Sequence, residues 1–431
     1  MIQRVTCAKK LEGEIEVPGD KSISHRAVIL NSIASGSARI GNFAQSEDCL
    51  STVNCLQKLG VPIEVCGDNN ILVKGTQLTE AEDILDAGNS GTTMRLLTGL
   101  LSAQPFLSVI SGDASLRSRP MSRIINPLRL MGAQIWGRDN DSKAPLVIKG
   151  GGLKGIEYDL PIASAQLKSA LLIAGLYANG KTVVIERMAS RDHTERMLKA
   201  MGASIETTGN EIRVSSSTLK ALDVIVPGDI SAAAFWLVAG TIHPAAKLML
   251  KNVGINRTRN GILDVLQLMG AKFEIGNQND IGGEFVADIV IETSSLRGVS
   301  IGGDIIPRLI DEIPLVALAG SVAEGETIVR DAQELRVKES DRIAMTVKEL
   351  SKFGIVIEEL PDGMIIRGGR KLHAAECDSH GDHRLAMMLA IAGLIAQGGT
   401  SIDNAEAADV SYSGFWQDLA SVSCKENIVE H

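Results

Sequence analysis

Two kinds of apolar segment alternate along the chain. One is apolar almost throughout: RAVILNSIA (26–34), TMRLLTGLLSA (93–103), KSALLIAGLYA (168–178), AAAFWLVAGTI (232–242), PLVALAGSVA (314–323) and LAMMLAIAGLIA (385–396). Helices that are hydrophobic all round are buried, so each is predicted as a core helix. The other kind is amphipathic and runs through a glycine into an alternating stretch: LQKLGVPIEV (56–65), LRLMGAQIWG (128–137), LKAMGASIET (198–207), LQLMGAKFEI (266–275) and LSKFGIVIEE (350–359). Glycine directly after a periodic apolar run predicts a left-handed helix C-cap, and the alternation after it predicts a half-buried strand. Gly60, Gly132, Gly202, Gly270 and Gly354 follow one another at 72, 70, 68 and 84 residues.

This is a sixfold repeat. Each unit reads as apolar helix, strand, loop, amphipathic helix, glycine, strand, turn, strand. The sixth copy is truncated and fades out in DLASVSCKENIVE (418–430). VPGDKS (17–22) and VPGDIS (226–231) lie 209 residues apart, about three units. Proline and glycine side by side before a helix start predict chain crossings there. Two α/β domains of three repeats follow, 19–227 and 1–18 plus 228–431, with the N-terminal strand returning to the second.

Composition narrows the function classes. The 431 residues are 45% apolar but only 3% aromatic, so the core is built from aliphatic side chains and methionine. A net charge of −9 argues against nucleic acid or a membrane surface as partner. The start, MIQRVTCAKKLEGEIEVPG, has no apolar h-region, so no signal peptide is expected. LAMMLAIAGLIA falls well short of the ~20 residues that span a bilayer. Cys7, Cys49, Cys55, Cys66, Cys377 and Cys424 show no paired spacing, and a reduced cytoplasm is expected.

GLYANGKT (175–182) matches a phosphate-binding loop letter for letter. That mechanism needs a strand before the loop and a helix after it, and here the order is reversed. The polar clusters before the core helices carry more chemistry: GDKSISHR (19–26), DAGNSGTTMR (86–95), PIASAQLKS (161–169), VPGDIS (226–231), PRLIDEIP (307–314) and SHGDHR (379–384). Ser, Thr and Asp suit helix caps. Capping does not call for Lys21, Arg26 or Arg384, since cations at a helix start oppose its dipole unless an anion is shared there. A second basic series, LRSRPMSR (116–123), SRDHTER (190–196) and LRVKESDR (335–342), lies in strand-to-helix loops. Lys338, Glu339, Asp341 and Arg342 make the last of these a candidate for proton transfer, as do Asp311 and Glu312. A metal at His380, Asp382 and His383 is disfavoured, because no third His or Cys stands at ligand spacing and Arg384 would repel it. Small, phosphorylated anions are the expected substrates.

GDKSISHR, NSGTTMR, LRSRPMSR, SAQLKS, SRDHTER, LRVKESDR and GDHR, in this order and approximate spacing, resemble the 5-enolpyruvylshikimate-3-phosphate synthase family over essentially the whole chain. SAQLKSALL and RDHTE resemble its class II branch. The resemblance implies two domains, each of three βαβαββ units (an inside-out α/β barrel), closing over a cleft that holds the active site. It implies transfer of the enolpyruvyl group of phosphoenolpyruvate to shikimate 3-phosphate without a metal or organic cofactor, and a monomer is expected. By resemblance, Lys21, Ser22, Arg26, Ser164, Ala165, Gln166, Arg191, Asp311 and Lys338 bind shikimate 3-phosphate. Lys21, Gly91, Arg119, Gln166, Arg342 and Arg384 bind phosphoenolpyruvate, and Lys21, Asp311 and Glu339 are catalytic. Gly91 implies sensitivity to glyphosate. The sequence departs from the family in ADVSYSGFW (408–416), which has no lysine where many members carry one, and in Leu96, where many have proline. The alternatives are the UDP-N-acetylglucosamine enolpyruvyl transferase, which lacks GDKSISHR and usually has a loop cysteine, and a non-catalytic repeat protein that only binds.

Overall fold

The computed structural model describes residues 1–67 and 69–423; Cys424 and the rest of the sixth copy's tail lie outside them. All six apolar segments are helices: Lys21–Ser32, Gly91–Leu101, Ala165–Gly175, Ile230–Ile242, Ile313–Val322 and His383–Gly393. Each is buried over nearly its whole circumference, which is why no polar stripe interrupts it. The five repeated glycines end the amphipathic helices with φ between +82° and +108°, a conformation that a Cβ would strain.

Among the described residues the strands form five four-stranded sheets and one of three strands. The second repeat shows the pattern. Leu85–Asp86 runs parallel to Leu107–Ser111, which pairs antiparallel with Lys143–Lys149, and Gln134–Gly137 lies at the edge. The first strand of a unit therefore precedes its core helix. The first repeat takes this strand from Val224–Ile225 and the fourth takes it from Leu11–Ile15, both in parallel register. Gln3–Thr6 completes the truncated sixth repeat by pairing antiparallel with Gly399–Asp403.

The chain divides into two compact units, one of Met1–Pro18, Pro227–Asn279 and Phe285 onward, the other of Gly19–Val226 with Asp280–Glu284. Each packs three sheets around three core helices and has its own hydrophobic core. The first divide needs glycine sterically: a Cβ on Gly19 would lie 1.9 Å from the Asn42 carbonyl oxygen. The three basic stretches read as loops are partly helical: Ala114–Ser118 runs into LRSRPMSR, the helix His193–Ala200 begins within SRDHTER, and a 3₁₀ turn, Gln333–Val337, leads into Lys338. No helix among the described residues is long and apolar enough to cross a membrane.

Candidate active site

In the Gly19–Val226 unit the three core helices each bring polar residues to their first turn. Asp20, Ser90 and Ser164 cap them by accepting from Ile23, Thr93 and Leu167 amides. Capping thus accounts for these three, and the cations beside them remain to be explained. Arg26 is 2% exposed and donates from Nε to Thr194 Oγ1 at 2.7 Å, from Nη1 to the Ser22 carbonyl at 2.8 Å and from Nη2 to Ser169 Oγ at 2.8 Å. Arg191 Nη1 reaches Ser22 Oγ at 3.3 Å. Burial, and next the positive charge of Arg191, pull the Arg26 guanidinium down to about 10. Two guanidiniums gathered at one serine make a site that an anion would relieve. Lys21, half-buried, meets Asp48 at 2.9 Å. The Asp48 carbonyl accepts from Thr93 Oγ1 at 3.2 Å, so this contact ties the first helix start to the second.

Gly91 opens the second helix. A Cβ there would lie 2.8 Å from Arg95 Nη1 and 3.5 Å from Arg119 Nη1, so the bare backbone leaves space against two guanidiniums. Arg95 Nη1 donates to Gln166 Oε1 at 2.5 Å, and Gln166 Nε2 donates to Thr92 Oγ1 at 2.9 Å. Arg119 Nη2 donates to Asn89 Oδ1 at 2.6 Å. The structure thus links Ser22, Arg26 and Arg191 in one set, and Gly91, Arg119 and Gln166 in another around Arg95, while Lys21 pairs with Asp48. Ser164 and Ala165 stand where the third helix begins, and Ser169 Oγ returns to the Ala165 carbonyl at 2.6 Å.

The other unit builds its polar set in the same manner. Asp229 and Asp382 cap Ile230–Ile242 and His383–Gly393, while Asp311 and Glu312 occupy a 3₁₀ turn before Ile313–Val322. Arg342, 1% exposed, donates to Asp382 at 2.8 Å, Asp311 at 3.1 Å and Glu339 at 2.6 Å. Its burial opposes the charge, but Asp382, Glu339 and Asp311 outweigh this and hold its pKa raised. Lys338 Nζ also reaches Asp311, at 3.3 Å. Arg384 lies over the Phe235 ring, 6.0 Å from its centroid, and donates to the Ser231 carbonyl at 3.1 Å. Asp311, Lys338, Glu339 and Arg342 are therefore joined directly, and Asp382 connects them to the Arg384 helix.

Several participants had no role in the sequence reading. Asp48 lies in an amphipathic helix, Glu47–Lys58, whose acidic start reads as ordinary capping. Arg95 stands inside the NSGTTMR motif, one helical turn beyond Gly91, and that spacing was the available signal. Arg259, buried, meets Asp229 at 3.5 Å and Glu312 at 3.8 Å, and no pattern around it announces this. Within ADVSYSGFW, Ala408, Tyr412 and Phe415 pack into the core: Trp236 Nε1 donates to Tyr412 Oη at 3.1 Å, and Tyr412 donates to Asp418 at 2.5 Å. Burial pushes the Cys49, Cys55 and Cys377 thiols up to about 12, which disqualifies them as thiolate nucleophiles at neutral pH. Among the described residues no group of three or more His, Cys, Asp and Glu could hold a metal ion.

Six α/β repeats in two units, with cations and carboxylates at the starts of the core helices, define the enolpyruvyl transferase fold. The enolpyruvyl transferase NikO from Streptomyces tendae superposes with a TM-score of 0.81 at 19% identity, over 98% of this chain and 97% of that one. EPSP synthase from Acinetobacter baumannii superposes with a TM-score of 0.88 at 41% identity, over the full length of both chains. The chain belongs to the EPSP synthase (3-phosphoshikimate 1-carboxyvinyltransferase) family, whose model matches residues 5–419. Relatives named 3-phosphoshikimate 1-carboxyvinyltransferase include those of Desulforudis audaxviator, 54% identical over 98% of this chain and 99% of its own, and Bacillus cereus, 53% identical over 96% and 97%.

Proposed function

We propose that the chain transfers the enolpyruvyl group of phosphoenolpyruvate to the 5-hydroxyl of shikimate 3-phosphate, releasing phosphate, as a 3-phosphoshikimate 1-carboxyvinyltransferase of aromatic amino acid biosynthesis. The observation that carries this reading is the gathering of Arg26 and Arg191 at Ser22, with the Arg26 guanidinium lowered first by burial and then by its neighbour's charge. A phosphate monoester, dianionic near neutral pH, fits such a site.

In this reading Lys21, Ser22, Arg26, Ser164, Ala165, Gln166 and Arg191 hold shikimate 3-phosphate, and Asp311 and Lys338 hold its ring hydroxyls. Lys21, Gly91, Arg119, Gln166, Arg342 and Arg384 surround phosphoenolpyruvate. The chain is read as two domains, 19–227 and 1–18 plus 228–431; the compact units differ in placing Pro227 with Met1–Pro18 and Asp280–Glu284 with Gly19–Val226. In the addition, the 5-oxygen bonds to C2 of phosphoenolpyruvate, its proton passes to Asp311, and Glu339 protonates the methylene carbon. In the elimination, the new methyl group returns a proton to Glu339 and the double bond re-forms. The C2–O bond to phosphate breaks in the same step, its electron pair leaving with the phosphate, which takes the proton from Asp311. The cations stabilise the crowded negative charge throughout.

The chain acts as a cytoplasmic monomer, and glyphosate inhibits it in competition with phosphoenolpyruvate. Purified protein with both substrates should release phosphate, and UDP-N-acetylglucosamine in place of shikimate 3-phosphate should give none. Release with the UDP-sugar alone would transfer the assignment to the other enolpyruvyl transferase.

A further inference from the structure

The Ala165–Gly175 helix buries a lysine among Ala, Leu and Ile. Lys168 is 1% exposed, and its Nζ stands 2.8 Å from Glu186 and 2.6 Å from Glu195. Burial holds the Glu195 carboxyl above its usual range despite the pull of Lys168. A buried ion pair of this kind is weak evidence for stability, since apolar residues of similar volume often serve as well or better. What the group contacts suggests another role. Glu186 follows the strand Thr182–Ile185, and Glu195 lies in the first turn of the helix His193–Ala200. Between them runs the loop that carries Arg191. The residue before Arg191, Ser190, is held by both of its backbone polar groups. Glu186 Oε1 accepts from the Ser190 amide at 3.2 Å and from its hydroxyl, while Lys168 Nζ donates to its carbonyl at 3.4 Å. One residue further along the same helix, Ser169 meets Arg26 and Thr194.

We propose that Lys168, with Glu186 and Glu195, is a positioning residue that fixes the Ser190–Arg191 backbone, so that the Arg191 guanidinium meets the phosphate of shikimate 3-phosphate at Ser22. Lys168 touches no substrate and acts only through the loop. The inference rests on the proposed reaction and names how one substrate's phosphate is held. Loss of the clamp lets Arg191 wander, and a displacement of about an ångström in a positioning group costs up to about a hundredfold.

The test is steady-state kinetics of Lys168→Met beside the wild type. KM for shikimate 3-phosphate should rise about tenfold or more, while KM for phosphoenolpyruvate changes less than about threefold, the mark of one lost binding contact. Lys168→Met strands two buried carboxylates, so the variant Lys168→Met/Glu186→Gln/Glu195→Gln, which removes the charges together, is measured in parallel with thermal melts of both. The same selective rise in a variant that melts as the wild type does supports the clamp. Unchanged KM for shikimate 3-phosphate in either folded variant, or equal rises for both substrates, overturns it. A wild type that turns over neither substrate defeats the proposed reaction instead, and the two failures are thereby distinct.

Discussion

Arg342 Nε and Asp382 Oδ2 stand 2.8 Å apart, both side chains 1% exposed or less, and join the first residue of one helix to the cap of another. Asp382 also accepts from Ser340 Oγ at 2.9 Å and from the Arg384 amide at 2.9 Å. One carboxylate therefore sets two of the three arginines assigned to phosphoenolpyruvate, Arg342 and Arg384, and the loop beside Glu339. Asp382→Asn keeps the shape and the cap but leaves the buried Arg342 charge short of a partner, at a cost of about 3 kcal/mol. Thermal melting should fall accordingly, and KM for phosphoenolpyruvate should rise more than KM for shikimate 3-phosphate. Equal kinetic effects on both substrates would contradict the link.

Gly91→Ala places a methyl group 2.8 Å from Arg95 Nη1, the far end of a flexible side chain that can yield. Stability should therefore change by less than about 1 kcal/mol. The displaced arginine is the one that holds Gln166, so the pocket itself must shift. One methyl group in a fitted pocket discriminates by roughly 10–200-fold. Inhibition assays should show the glyphosate constant rising by an amount in this range, and more steeply than KM for phosphoenolpyruvate. An already resistant wild type would contradict the assignment of Gly91.

Arg26 makes three hydrogen bonds with three different nitrogens, to Thr194, Ser22 and Ser169. Lysine carries the charge but cannot reproduce a planar fork. Arg26→Lys should lower kcat/KM for shikimate 3-phosphate by about a hundredfold and cost about 2 kcal/mol in chemical denaturation, from the partners left unsatisfied. Retained kcat/KM would show that charge alone suffices at this position.

His25 is buried, and its Nδ1 pairs with Thr52 Oγ1 at 2.7 Å. Burial, with Lys21 and Arg26 nearby, pulls its pKa well below 6.5, so the folded chain keeps the imidazole neutral. The unfolded chain binds the proton more readily, so this contribution is complete above 6.5 and is lost as the pH falls towards the folded pKa. In the first pH unit below the unfolded value the loss is about 1 kcal/mol. Denaturation midpoints of wild type and His25→Gln across that unit should converge by this amount. Parallel curves would place His25 outside the linkage.

The sequence carried the fold where burial or backbone geometry wrote a local signature. The six core helices were legible because a helix buried on all sides shows no polar stripe, and the helix ends because Gly60 and its four counterparts need a positive φ. The strands Val224–Ile225 and Leu85–Asp86 are two residues long and too short for any period to register. Lys21, Arg26 and Arg384 stood out because their charge conflicts with the helix dipole. Asp48, Lys168 and Arg259 did not, because their partners lie 18 or more residues away and only the fold brings them together.

The most direct test of the central claim is a ³¹P NMR time course of the protein with shikimate 3-phosphate and phosphoenolpyruvate. The account predicts that the phosphoenolpyruvate resonance is replaced one for one by inorganic phosphate, while the 3-phosphate ester persists in a product heavier by the enolpyruvyl group. Static spectra, or inorganic phosphate arising from shikimate 3-phosphate instead, would contradict it.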